Sequence, residues 1–244
     1  MDKKLYVVGI GPGGYEEMTL RAAKVLQECE QIVGYSVYLD LIRQYFPGKA
    51  FYATPMREEV QRCQHALAMA GAGKRTAILC SGDAGVYGMA GLVYALRGEA
   101  KTPEIEVVGG LTAALSGAAL LGAPLTHDFA VISLSDLLTE WETIASRLDH
   151  AAQAGLSIVL YNPASKKRRD HLRRACEIVL RHAEPGRVCG VTRNIGRAGE
   201  HFEVMTLLEL CNYEADMFTT VFIGNPQTQV IGGKMVTPRG YRNV

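Results

Sequence analysis

Ser81-Gly82-Asp83-Ala84-Gly85-Val86-Tyr87-Gly88-Met89-Ala90-Gly91 follows the apolar run Thr76-Ala77-Ile78-Leu79-Cys80. A short apolar run closed by a turn signal reads as a buried strand. Downstream, Leu92, Val93 and Leu96 mark the apolar side of a helix. A carboxylate, Asp83, therefore sits among glycines where a strand ends and a helix is about to begin. In α/β sheets ligands bind at such places, and glycines let the backbone approach them closely. Asp83 has two readings: a group facing a ligand, or a cap for the helix that follows.

The same alternation extends in both directions. Leu5–Gly9, Ile32-Val33 and Ile105–Val108 read as strands, and Thr19–Cys29 and Arg57–Ala70 as helices. Beyond a small-residue segment ending in Gly122-Ala123-Pro124, strands are expected at Phe129–Leu134, Ser157–Tyr161, Val188–Thr192, Phe202–Met205 and Thr219–Ile223. Helices are expected over Thr139–Gln153, with the sole tryptophan Trp141, and over Ser165–His182. Alternating strands and helices imply a mostly parallel sheet. The alternation of Phe202 and Val204 suggests antiparallel pairing late in the chain. The expected fold is α/β, with two α/β domains, 1–120 and 121–244.

Composition narrows the function classes. The chain has 244 residues, is 48% hydrophobic and carries a net charge of +1. That balance gives no support for a nucleic-acid binder driven by bulk charge. No apolar run approaches membrane-spanning length, and the start runs into a strand without a signal-peptide segment. A soluble cytoplasmic protein is expected. Cys29, Cys63, Cys80, Cys176, Cys189 and Cys211 show no Cys-x-x-Cys element. They read as buried thiols in a reducing compartment, and no metal site is expected.

Three loops after strands compete for a ligand. The first, Gly9-Ile10-Gly11-Pro12-Gly13-Gly14, formally matches the dinucleotide fingerprint G-x-G-x-x-G. That fingerprint requires a helix opening within it and an acidic residue ending the second strand. Here Pro12 and Tyr15–Met18 intervene, and the second strand runs into Gly34-Tyr35-Ser36. The second loop is Ser81–Gly88. The third is Gly109-Gly110-Leu111-Thr112-Ala113-Ala114, in which Thr112 offers a hydroxyl or a helix cap.

Gly-x-Gly-Pro-Gly, then Ser-Gly-Asp-x-x-x-Tyr-Gly, then Gly-x-Thr-Ala resembles the tetrapyrrole methylase family, and the order of motifs covers the whole chain. Gly34-Tyr35-x-x-Tyr38, Met56-Arg57-x-Glu59-Val60-x-Arg62-Cys63, Leu121–Phe129, Ser133–Trp141, Tyr161-Asn162-Pro163 and Thr237–Tyr241 resemble its precorrin-3B C17-methyltransferase branch, of corrin (vitamin B12) biosynthesis. The resemblance implies two α/β domains with S-adenosylmethionine in the cleft, a precorrin tetrapyrrole as substrate, and a homodimer. Cofactor contacts then fall on Pro12, Ser81, Gly82, Asp83, Val86, Thr112, Ala113 and Asn162. The implied reaction adds a methyl group at C17 and contracts the ring. The acceptor is precorrin-3B, its cobalt-containing equivalent, or another corrin position. A carrier that binds the tetrapyrrole without turnover is the reading from a different class.

Ring contraction asks for general acid/base work. Candidates in the branch-like stretch are His127, Asp128, Ser133 and Asp136, with Ser135 beside the substrate. His127 also reads as a strand-entry residue and Asp136 as a helix cap. The substrate carries many carboxylates, which arginine forks suit. Arg57, Arg62, Arg193 and Arg239 lie in motif-like segments, as does Arg197. Lys166-Lys167-Arg168-Arg169 reads either as the solvated first turns of a helix or as a carboxylate-binding rim.

Overall fold

The computed structural model describes residues 3–165 and 168–241. Lys166 and Lys167, half of the basic run, lie outside the described residues. The chain divides into two compact units, Met1–Thr112 and Ala113–Val244.

The first unit is a parallel sheet with helices on both faces. Its elements are β1 (Lys4–Gly9), α1 (Leu20–Glu28), β2 (Gln31–Tyr35), α2 (Ser36–Ile42), β3 (Ala50–Thr54), α3 (Glu59–Gly71), β4 (Thr76–Cys80), α4 (Ala90–Arg97) and β5 (Glu104–Val108). The strand order is β3-β2-β4-β1-β5, and every pairing is parallel. A parallel strand covered on both faces reads as a continuous apolar run, and all of β4 is buried accordingly. On one face Val8, Ile32 and Leu79 pack with Ala22, Leu26, Leu39 and Ile42. On the other, Leu5, Val7, Val33 and Ile78 pack with Cys63, Ala66, Ala70 and Val93. Thr19 caps α1 by accepting the Ala22 N–H at 3.1 Å.

The second unit opens with α5 (Ala113–Leu121), β6 (Gly122–Ala123), β7 (Phe129–Ser133), α6 (Trp141–Gln153) and β8 (Ser157–Tyr161). It continues with α7 (His171–Val179), β9 (Val188–Arg193), β10 (His201–Thr206), α8 (Leu207–Leu210), β11 (Thr219–Ile223), β12 (Gln229–Ile231) and β13 (Lys234–Val236). Its main sheet has the order β10-β9-β11-β8-β7. Only β7 and β8 pair in parallel; β11 runs against both β8 and β9, and β10 against β9. The alternating Phe202 and Val204 do stand in an antiparallel strand.

The division at Thr112 falls ahead of the expected boundary near residue 120, because α5 packs on the second sheet. Ala114, Ala118 and Leu121 join Val159 and Phe222 in one core. The contact is close at Gly117, where a Cβ would stand 2.7 Å from Thr192 Oγ1 and 2.8 Å from Phe222 Cζ. Gly122-Ala123 ends the helix, and its two residues also pair with Met235 and Val236. The helix expected over Ser165–His182 is shorter. Ser165 and Arg168 exchange backbone hydrogen bonds at 3.3 and 3.0 Å, and α7 begins only after Asp170.

All six cysteines are free, and all but the half-buried Cys211 are buried. Burial pushes the Cys63 and Cys80 thiols up to about 11 and Cys29 up to about 12. Among the described residues, no helix is long and apolar enough to cross a membrane.

A buried cation stabilises the second unit. Arg187 is 8% exposed, donates to both Glu184 oxygens at 2.7 and 2.8 Å, and reaches the Gly224 carbonyl at 3.2 Å. Its hydrogen bonds, with help from the Glu184 backbone, hold the Glu184 carboxyl at about 2. An unfolded glutamate titrates near 4.3. The linked stability is therefore complete above that value and is lost as pH falls through the folded one. Arg187→Met should lower the urea midpoint clearly at pH 6 and much less at pH 2.5. An equal loss at both would show that Glu184 has no part in it.

Candidate functional site

In the first unit the three glycine-bearing loops leave the carboxyl ends of β4, β1 and β5, which are neighbours in the sheet. They lock together through the backbone. Gly11 donates to Gly82 O at 3.1 Å and Gly82 returns a bond to Gly11 O at 2.7 Å. A Cβ at Gly110 would lie 2.7 Å from the Gly9 backbone and closer still to the Gly82 carbonyl. The chain after β1 makes a short 3-10 turn at Tyr15–Glu17, and α1 starts only at Leu20. No helix opens at the glycines, so the pyrophosphate seat of a dinucleotide fold is not built. Pro12 lies buried in this loop and Ser81 half-buried in the second; Thr112 and Ala113, also half-buried, stand where the third loop meets α5.

Asp83 sits at the junction. Its Oδ1 accepts the Gly85 and Val86 N–H groups at 2.7 and 3.1 Å. Its Oδ2 accepts the Gly110 N–H at 2.9 Å, across to the next loop. The helix-cap reading is thereby corrected: α4 begins at Ala90 with Met89 as its cap residue. Val86 and Tyr87 are 37% and 57% exposed on the rim.

Arg57 and Arg62 diverge. Arg57 is exposed beyond β3, and its N–H is held by Glu59 Oε1 at 3.2 Å. Arg62 is 3% exposed and donates to Thr54 Oγ1 at 2.8 Å, Pro55 O at 2.9 Å and Met89 Sδ at 3.4 Å. The expectation that Arg62 binds a substrate carboxylate is corrected. Its guanidinium ties α3 to the end of β3 and is withdrawn from solvent.

In the second unit, β7, β8 and β9 point the same way, since β8 and β9 both run against β11. Their carboxyl ends carry Ser133, Asn162 and Arg193. Ser133 Oγ accepts from Asn162 Nδ2 at 2.9 Å and from the Ser135 N–H at 3.2 Å. Arg193 meets Asp216 Oδ2 at 2.5 Å, and Arg197 lies over the Phe218 ring at 5.5 Å.

Asp136 does not cap a helix, since α6 starts after Glu140. It pairs with His171 Nε2 at 3.2 Å and Arg168 Nη1 at 3.6 Å. Arg168, from the basic run, is thus a partner of Asp136 and not part of a first helical turn. His171 was not singled out from sequence, where nothing links it to Asp136. It is 5% exposed and stands edge-on to Trp141 at 4.7 Å.

His127 and Asp128 lie at the other end of β7. The Asp128 carbonyl accepts the Ser157 N–H at 3.3 Å, where β8 starts. At about 3.3 Å per residue, β7 separates them from Ser133 by roughly 16 Å. Arg239 lies with them, donating to Thr126 O at 3.3 Å, while Thr237 donates to Pro124 O at 2.7 Å. The strand direction thus separates the acid/base candidates: His127 and Asp128 stand at one end of β7, Ser133 and Asp136 at the other.

Among the described residues, four other than glycine hold left-handed backbone: Arg57 (φ 72°), Tyr87, Asn162 and Asn194 (each φ 53°). They follow β3, β4, β8 and β9. Such conformations cost about 1–3 kcal/mol each and gather at functional sites. Among the described residues, no group of three His, Cys, Asp or Glu side chains is placed to hold a metal ion.

Residues 4–211 match the family model of the tetrapyrrole (corrin/porphyrin) methylases. The chain belongs to that family. A probable cobalt-factor III C(17)-methyltransferase of Salmonella typhimurium is 43% identical over 97% of this chain and 99% of its own length. A precorrin-3B C(17)-methyltransferase of a Sinorhizobium species is 42% identical over 95% of this chain and 92% of its own. The crystal structure of the methyltransferase CobJ superposes with a TM-score of 0.88 at 36% identity, covering 96% of this chain and 99% of that one. Other relatives are longer: the chain spans about half of two of them, 46% of a Priestia megaterium cobalt-factor III methyltransferase and 53% of CbiHC from Archaeoglobus fulgidus. Within this methylase, the first unit keeps its expected cofactor residues at one sheet edge, and the second divides its candidates between two.

Proposed function

We propose that this methylase transfers the methyl group of S-adenosylmethionine to C17 of precorrin-3B, or of its cobalt-containing counterpart, with contraction of the ring. The observation that carries this reading is the match, over nearly the whole chain, to relatives named as C17-methyltransferases. The converging backbones of Gly9, Gly82 and Gly110 suit the cofactor: a side chain at Gly110 would collide with the main chain of Gly9 and Gly82, so glycine is what lets these loops close into a main-chain floor.

The cofactor supplies an electrophilic methyl group on a sulfonium, a good leaving group. The chain's task is then to align donor and acceptor and exclude water. In this reading the cofactor contacts are Pro12, Ser81, Gly82, Asp83, Val86, Thr112, Ala113 and Asn162. Arg57 and Arg193, both exposed at carboxyl strand ends, receive substrate carboxylates. Ser133, held by Asn162, and Asp136, held by His171, handle the proton that ring contraction moves. In this reading His127 and Asp128, at the opposite end of β7, take no part in that step, and Arg239 beside them does not meet a substrate carboxylate. A homodimer in the cytoplasm is part of the same proposal.

The test is anaerobic incubation with S-adenosylmethionine and either precorrin-3B or the cobalt-containing acceptor, read by mass spectrometry and visible absorption. Gain of one methyl group with loss of the uncontracted spectrum is expected for one acceptor. Tight S-adenosylhomocysteine binding without methylation of either would overturn the acceptor assignment and keep the cofactor.

A further inference from the structure

We infer that His171, with the ring of Trp141 set against it, is the positioning residue that fixes the direction of the Asp136 carboxylate. The inference rests on the reading of Asp136 as a group that handles the ring-contraction proton. α6 and α7 pack side by side, with Ile144 and Leu148 in one core with Leu172 and Ala175. Their first residues, Trp141 and His171, meet. The two rings stand edge-on at 4.7 Å, and Arg174 lies over the Trp141 ring at 3.9 Å. The His171 ring is held with Nε2 on Asp136 Oδ2 at 3.2 Å and Nδ1 3.4 Å from Asp170 Oδ1. Arg168 Nη1 faces the other Asp136 oxygen at 3.6 Å. Arg168 keeps its proton at any working pH, so of these two partners only His171 changes state. His171 is buried and Asp136 exposed. A pair with one partner at the surface adds little stability, and neither Asp136 nor Asp170 caps a helix with its side chain. Holding an exposed carboxylate in place is what remains for the buried ring to do.

His171→Phe, His171→Gln and Asp136→Asn separate positioning from packing. Phenylalanine keeps a ring against Trp141 and removes both nitrogens; glutamine restores one donor. Methyl transfer to the acceptor that the wild type uses is the readout. His171→Phe should lower kcat by about tenfold to hundredfold, since misplacing a reacting group by about 1 Å costs up to about a hundredfold. KM for S-adenosylmethionine should stay unchanged, and His171→Gln should recover part of the loss. In an Asp136→Asn background His171→Phe should cost nothing further, because a residue acting through another has no effect once that other is gone. Wild-type kcat in His171→Phe, or the same loss in both backgrounds, would overturn the inference.

Trp141 is the sole tryptophan, so its emission gives a second readout in the ligand-free protein. A protonated imidazole quenches an indole it touches far more than a neutral one does. Emission should therefore fall in one step as pH drops and His171 takes up a proton, and the step should vanish in His171→Gln. In Asp136→Asn the step should move to lower pH, because a negative partner favours the protonated ring. No step in the wild type, or a step that stays in place in Asp136→Asn, would overturn the pairing even if His171→Phe failed to fold. A wild type that methylated neither acceptor would instead overturn the proposed function, with the emission titration still deciding the pairing.

Discussion

Gly110→Ala should abolish cofactor binding, weakening S-adenosylhomocysteine by more than about a hundredfold. The added methyl group would lie 2.7 Å from the Gly9 backbone and nearer to the Gly82 carbonyl. All the blocking atoms are main chain, so no rotamer change relieves the clash. Overpacking of this kind also costs about 1–3 kcal/mol of stability. Gly109→Ala is the control one residue away. Its Cβ would meet only Asp83 Oδ2 at 3.5 Å, an ordinary contact, and stability should stay within about 0.5 kcal/mol. Urea unfolding and calorimetry on both variants check this. Equal effects at the two glycines would mean that the loops give way freely, and the close convergence would not matter for binding.

Arg62→Ala should destabilise the protein by about 2–4 kcal/mol. The substitution empties a buried site and leaves Thr54 Oγ1 and the Pro55 carbonyl without their donor. Arg62→Lys should recover little, because one ammonium cannot reproduce a fork that meets three partners. The fraction that remains folded should keep its KM for the tetrapyrrole. The reverse pattern, unchanged unfolding with a raised KM, would restore Arg62 as a carboxylate ligand.

Arg62 also shows where the residue pattern stops informing. Arginine has a long apolar stem and a charged end, so its place in a motif does not say whether it faces solvent or ties a helix to a strand. The parallel sheet of the first unit was legible because its central strands are continuous apolar runs. Edge strand β3, half exposed, carried a weak signal, and α2 starts directly after β2 without a capping side chain. β6 was legible only as a breaker, since its partner β13 lies over a hundred residues later in the chain.

The site was legible as a set of places more than as a set of roles. Asp83 stood out from its glycines, yet its bond to Gly110 links loops that only the sheet order makes adjacent. His127 and Asp128 share a short stretch with Ser133, yet the intervening strand carries them to its far end. His171 had no local signal, because its pairing with Asp136 depends on how α7 packs beside the loop before α6.

The main-chain floor of the first unit bears on how this molecule could be re-engineered. Randomising Gly9, Gly82 or Gly110 would load a mutant library with destabilised clones, since a Cβ at Gly9 or Gly110 meets main chain and Gly82 holds a left-handed φ of 68°. Diversity belongs on the rim, at Val86, Tyr87 and Leu111, which are 37%, 57% and 40% exposed. On the proposed reading of these loops, substitutions at those positions alter what a ligand meets at its edges and leave its bed intact. A screen for methyl donors with enlarged or altered side groups would begin with those three codons.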